Sequence, residues 1–239
     1  MMATNIRHHL MRLVVVCTVL FSAVTLLGVA ARLPDDDDAS SLIEATAVVS
    51  ATGCRNTIGQ GIGTFISPTL ILTSAHTLAG ASDITVSTYL GVAPATIVAF
   101  DPTNDLAIVE VNEPHRSVVP LSALSLQSSS LPITGTIGVV RDENVIRLPI
   151  TLRRSVKITT EDIYLDNDVI RPGFELEGDI IRGDSGAVIV VDGKGVGVIW
   201  SRSRTSAARA WAIDPIAGGD LIEAQQLSGM TDDVDLTRC

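Results

Sequence analysis

The 239-residue chain carries 27 Asp and Glu against 17 Lys and Arg, a formal charge of −10, which argues against tracking along nucleic acid or an anionic lipid surface. Hydrophobic residues make up 46% and charged residues 18%, enough for one or two cored units and too apolar for a disordered chain. Aromatics reach only 3%, so Val, Ile, Leu and Ala must fill the interior, a composition that leans toward β structure.

The chain opens on MMATNIRHHLMR, basic and free of acids, followed by LVVVCTVLFSAVTLLGVAA at 13–31, an unbroken apolar and small-residue run of 19. This is the pattern of an export signal. VAA at 29–31 offers the small residues that signal peptidase needs, yet a run of this length also spans a bilayer as one helix. Residues 1–32 therefore read either as a cleaved signal peptide or as a signal-anchor helix in the membrane. Arg7 and Arg12 keep the amino end cytoplasmic in both cases. The rest of the chain is then extracytoplasmic: anchored and facing the periplasm or cell exterior, or secreted. Residues 33–41, with PDDDDASS, read as an acidic linker, and residues 42–239 as the folded domain.

Cys17 lies in the apolar run, which leaves Cys54 and Cys239 in the exported part. An even pair in an oxidising compartment suggests a disulfide tying the chain end to the start of the domain, with two free thiols as the alternative. No CxxC pair or histidine cluster suggests a metal site: His8 and His9 precede the apolar run, and His115 sits in the loop-like NEPHRS.

From residue 42 onward the pattern is short and β-like. ATAVVSA, GIGTFISP, TLILTSA, DITVSTYL, ATIVAFD and LAIVEV are β-branched runs between Gly, Pro, Asn and Asp breakers. After the connection VVPLSALSLQSSSLP a second series follows: ITGTIGVV, VIRLPITLR, VKITT, AVIVV, GVGVIW and ARAWAI. Within it, VIVVDGKGVGVIW reads as a hairpin around an Asp-Gly turn. Near the carboxyl end GGDLIEAQQLSG reads as a short helix. Many strands with almost no crossover helices predict an all-β fold of antiparallel barrels or sandwiches.

Into this pattern the segment IIRGDSGAVIV sets a polar turn holding Ser185. A serine hydroxyl is a poor nucleophile until a base takes its proton, and that base needs an orienting carboxylate. LTSAHTLAG places His76 just after an apolar run, and DPTNDLAIVEV places Asp105 at the mouth of another. Taken singly, each has a bland explanation: a packed histidine, a turn aspartate, a hairpin loop. Their joint occurrence in the order His, Asp, Ser fits neither the α/β-hydrolase nor the subtilisin order.

GIGTFISPTLILTSAH, NDLAIVEV and RGDSGAV resemble the three signature segments of the trypsin/chymotrypsin-like serine proteases, over roughly residues 45–217. The short interval from His76 to Asp105 is similar to that of the bacterial HtrA type. DIYLDNDVIRPGFELEGDIIRGDSG further resembles the periplasmic acid-resistance serine proteases of mycobacteria and other actinobacteria, which also carry a disulfide. This chain departs from them in having one amino-terminal hydrophobic segment where they have several. It departs from the HtrA type in that no appended peptide-binding domain is read in it.

The resemblance implies two six-stranded antiparallel barrels, the first at about 42–120 and the second at about 121–217, with a helix and tail at 218–239. It implies His76, Asp105 and Ser185 as catalytic residues, and the backbone N–H groups of Gly183 and Ser185 as the oxyanion hole. Ala187 replaces the family's second glycine after the serine, where related enzymes also accept a small residue. Asp184 pairs in trypsin-like zymogens with a newly cut amino terminus, but no IVGG-like start is visible, so activity is expected without an activating cleavage. Asp179, six residues before Ser185, is expected to bind a basic substrate side chain. Trp200, Ser201 and Arg202 are expected to border the cleft. The reading is an extracytoplasmic serine endopeptidase acting on proteins or peptides, with neither metal nor cofactor. The alternatives are a catalytically silent relative that binds peptides or senses envelope stress, and an esterase using the same acyl-enzyme chemistry.

Overall fold

The computed structural model of the chain describes residues 36–55, 57–123, 131–216 and 238. The expected amino-terminal hydrophobic helix and the expected helix at 218–229 lie outside the described residues. Among the described residues no helix is long and apolar enough to cross a membrane. Apart from Asp36 and Asp37, these residues belong to one unit, Asp38–Cys239.

A first α-helix, α1 (Asp36–Ala45), is followed by β1 (Thr46–Gly53), β2 (Gly59–Phe65), β3 (Leu70–Thr73), the single-turn α2 (Ala75–Leu78), β4 (Ala81–Thr88), β5 (Gly91–Asp101) and β6 (Leu106–Val111). The strands pair in the order β1-β2-β3-β6-β5-β4, and β4 returns onto β1 with Val49 opposite Val86, which closes a barrel. Its filling is aliphatic: Val49, Ile71, Leu72, Leu78 and Ile108 are completely or almost completely buried. Residues 36–41, read from the sequence as a spacer, instead begin α1. The last turn of α1 buries Leu42 and Ala45, three apart and so on one face of the helix. The Thr46 hydroxyl donates to the Leu42 carbonyl at 2.7 Å, and the Glu44 carboxylate accepts from the Ser117 hydroxyl.

The second barrel holds β7 (Ile133–Arg141), β8 (Asn144–Glu161), β9 (Asp168–Glu177), β10 (Val188–Val191), β11 (Lys194–Arg202) and β12 (Arg209–Ile213), ordered β10-β11-β12-β9-β8-β7. It closes through one paired position, Val190 opposite Thr136. Both barrels are antiparallel throughout, in agreement with the all-β expectation. The expected β10–β11 hairpin is present, and its turn residues Asp192 and Gly193 both take positive φ, 49° and 71°, as a two-residue type I′ turn requires.

Two details differ from the sequence reading. VIRLPITLR and VKITT form one strand, β8, whose register shifts between Leu152 and Arg154 rather than breaking. The sixth strand is β9, DVIRPGFELE, which had no place among the predicted strands. Its Pro172 and Gly173 read as breakers, yet both pair with β8, opposite Lys157 and Val156.

Candidate active site

β3 ends at Thr73 and turns at once into α2, so His76 stands at the rim of the first barrel with its side chain 38% exposed. Asp105 ends the β5–β6 connection with φ +59° and is 3% exposed. Its carboxylate takes two hydrogen bonds from the same residue: His76 N–H donates to Oδ1 at 2.7 Å, and His76 Nδ1 meets Oδ2 at 2.8 Å. The Asp105 carbonyl also accepts from Ala75 N–H at 3.2 Å. A buried carboxylate gripping both backbone and ring leaves the imidazole little freedom to turn, and it favours the tautomer with the proton on Nδ1. Nε2 is then the ring's available basic atom.

Ser185 comes from the second barrel, on the segment entering β10, and that segment is bound to the first barrel. The Ser185 carbonyl accepts from Ile62 N–H at 2.8 Å. A Cβ built on Gly61 would lie 2.8 Å from both that carbonyl and Thr77 Oγ1, which brings Ser185 and α2 against the same point of β2. Gly186 locks the approach: its φ is +91°, and a Cβ there would meet the Ile62 carbonyl oxygen at 2.1 Å and Thr73 Oγ1 at 2.6 Å. Only a residue without a Cβ can pass. The Ser185 hydroxyl donates to the Trp200 carbonyl at 3.4 Å, and no hydrogen bond joins it to His76 among the described residues. Beside it, Gly183 has φ +102°, and the N–H groups of Gly183 and Ser185 have no acceptor among the described residues.

Two arginines that the sequence reading did not single out hold this arrangement. Arg141, the last residue of β7, sends Nη1 and Nη2 to the two oxygens of Asp184, each at 2.7 Å, and Asp184 also accepts from Ile181 N–H at 2.9 Å. Asp184 is 2% exposed, so a planar two-point partner is what makes its burial tolerable. The hydrogen bond to Asp184 raises the Arg141 pKa above its usual value, against desolvation and with the charges of Asp184 and Asp179 adding. No local pattern links residues 43 apart; only the fold brings them together. Arg171, on β9, is 2% exposed and crosses to the loop carrying Asp105. Its Nε donates to the Thr103 carbonyl at 2.6 Å, and its Nη2 to the carbonyls of Glu161 at 3.2 Å and Pro102 at 3.5 Å. Its guanidinium also stacks 5.2 Å from the Trp200 ring centroid. Burial lowers the Arg171 pKa, opposed by the charges of Asp105, Asp101 and Asp162. The arginine inside the otherwise apolar VIRPGFEL was the available clue.

A cavity of about 370 Å³ opens beside Ser185, lined by Trp200, Ser201 and Arg202, over an apolar floor that includes Ile180 and Ile199. Asp179 is not among the residues that line it. The loop turns Asp179 outward, where it is exposed, and its carbonyl accepts from Arg141 at 3.4 Å. Cys54 follows the end of β1, and Cys239 lies outside the described residues. His115 is buried and stacked on Phe65 at 4.3 Å. No metal-binding group of His, Cys, Asp or Glu occurs among the described residues.

The trypsin-like peptidase domain family matches residues 61–198, a span that contains His76, Asp105 and Ser185. Serine protease Rv3671c of Mycobacterium tuberculosis is 29% identical over 192 residues, covering 79% of this chain. The chain spans about half, 45%, of the length of the curated relatives it matches. The active form of the Rv3671c protease from M. tuberculosis superposes with a TM-score of 0.71 at 24% identity, over 84% of this chain and 87% of that one. The HtrA-type protease AlgW bound to a tripeptide superposes with a TM-score of 0.65 at 20% identity, over 81% and 63%. These superpositions establish a shared two-barrel fold, and the domain match, which covers more than half of the sequence, shows that the chain belongs to the trypsin-like peptidase family.

Proposed function

We propose that the chain is an extracytoplasmic serine endopeptidase in which His76, Asp105 and Ser185 form the catalytic triad. The observation that carries this reading is the doubly hydrogen-bonded His76–Asp105 pair, held at the barrel junction to which Ser185 is also fastened. Ser185 Oγ attacks the peptide carbonyl while His76 Nε2 takes its proton, which is later delivered to the leaving amine. Asp105 stabilises the imidazolium without itself being protonated. The N–H groups of Gly183 and Ser185, without an acceptor among the described residues, receive the oxyanion, where loss of one such donor typically costs about 10²-fold or more. Export is supported by the basic start and the apolar run at 13–31. Pairing of Cys54 with Cys239 is supported by the disulfide-bonded state of Cys54; peptide mapping without reduction tests it, and recovery of an alkylated Cys239 would refute it.

One observation favours a silent or resting form: the Ser185 hydroxyl is committed to the Trp200 carbonyl rather than to His76. In an active form the same hydroxyl would donate to His76 Nε2 instead. Labelling of the full chain with a fluorophosphonate distinguishes them. Labelling that maps to Ser185 and disappears in Ser185→Ala and His76→Ala identifies an activated nucleophile. Folded protein that stays unlabelled identifies a peptide-binding relative. The ratio of amide to ester hydrolysis then separates an endopeptidase from an esterase.

A further inference from the structure

The cavity beside Ser185 has an electrostatic character opposite to that of the protein around it. The whole chain carries −10, yet Arg182, Arg202 and Arg204 all line this cavity and no Asp or Glu does. None of the three guanidinium groups has an ion-pair or hydrogen-bond partner among the described residues. Several arginines elsewhere are paired: Arg141 with Asp184, Arg154 and Arg209 with Glu175, and Arg153 with Glu177. Three unpartnered cations around one concave site, in an acidic protein, concentrate positive potential at the place where a substrate side chain enters.

Resting on the peptidase reading, we infer that this cavity receives an acidic side chain on the acyl side of the scissile bond, so that the protein cleaves after Glu, and after Asp less well. The methylenes of a glutamate lie against Ile180 and Ile199, while its carboxylate meets the arginines, whose planar donors match a carboxylate at two points. Aspartate is one methylene shorter and reaches them less completely. A Lys or Arg side chain meets three like charges and no acid. A leucine fills the floor but takes water from the guanidinium groups without replacing its hydrogen bonds, which costs affinity.

The test uses the full chain and peptides identical except for Glu, Gln, Leu or Arg before the cleaved bond. Glu is expected to exceed Gln in kcat/KM by about tenfold or more, a ratio that falls as salt screens the exposed charges. The Glu preference is expected to shrink in Arg202→Gln and to turn toward Arg in Arg202→Glu. Wild-type protein whose Ser185 is labelled by fluorophosphonate but which cleaves the Gln, Leu or Arg peptide as fast as the Glu peptide overturns this inference and leaves the peptidase reading standing. Failure of Ser185 to label overturns the peptidase reading and this inference with it.

Discussion

Replacing Arg141 with Ala removes both donors from Asp184 and leaves a carboxylate of 3% side-chain exposure with only the Ile181 N–H. Truncating one partner of a fully buried ion pair costs about 3–5 kcal/mol. The Arg141 side chain is 21% exposed, so water enters the vacated space and the expected loss lies at the lower end, about 3 kcal/mol. The effect on chemistry is separate. Asp184 sits between Gly183 and Ser185, whose N–H groups are the proposed oxyanion donors, and a loosened Asp184 loosens both. Folded Arg141→Ala is therefore expected to react with fluorophosphonate about 10²-fold more slowly, the scale of one lost oxyanion donor. Arg141→Lys keeps the charge but offers a single point of contact, and recovers part of each effect. Urea unfolding measures the stability loss, and labelling rates at a urea concentration where each variant stays folded measure the chemistry. In a double-mutant cycle with Asp184→Ala, a coupling of about 2–3 kcal/mol is expected. A folded Arg141→Ala that labels within about threefold of the parent, far short of 10²-fold, would refute the claim that this pair positions the oxyanion donors.

Asp105→Asn keeps the shape of the carboxylate but favours the wrong imidazole tautomer, so labelling and hydrolysis are expected to fall by about 10⁴-fold while the unfolding midpoint moves little; a loss below tenfold would remove Asp105 from the proposed triad. Gly186→Ala combines a positive φ with a Cβ driven into the Ile62 carbonyl, and urea unfolding is expected to register a loss of about 3 kcal/mol or more. Gly183→Ala has nothing within 4 Å of its Cβ, so only the backbone strain of about 1–2 kcal/mol is expected, and equal losses at the two positions would contradict the inter-barrel packing. Arg171→Leu leaves the carbonyls of Thr103 and Glu161 without their donor; a loss of about 3 kcal/mol is expected in the same assay, together with slower labelling, because the loop carrying Asp105 loses its tie to β9. The Glu175 carboxylate, held below its usual range chiefly by its hydrogen bond to Arg154, adds stability that is present at neutral pH and lost as the pH falls through that lowered value. Glu175→Gln should therefore flatten the acid limb of a stability–pH curve, and an unchanged limb would mean that the pair contributes nothing.

What the linear order of residues determined was whatever depends on near neighbours. Alternating β-branched runs between turn residues gave an all-β fold, and an Asp-Gly pair between two such runs specified the β10–β11 hairpin, because those preferences act over a few residues. His76, Asp105 and Ser185, the proposed triad, could be singled out because each lies in a recognisable local setting, after or before an apolar strand or inside GDSG. The reading failed where long-range pairing overrode local preference. Pro172 and Gly173 look like breakers, yet β9 is held between β8 and β12, and the bulge at Leu152–Arg154 let two expected strands become one. Arg141, Arg171 and the cation-lined cavity were decided only by the tertiary structure. Arg141 meets Asp184, 43 residues away, within the second barrel, and Arg171 reaches the Pro102 and Thr103 carbonyls by the docking of the two barrels. Asp179 makes the same point in reverse: its spacing from Ser185 is suggestive, but the path of the loop decides which way a side chain faces.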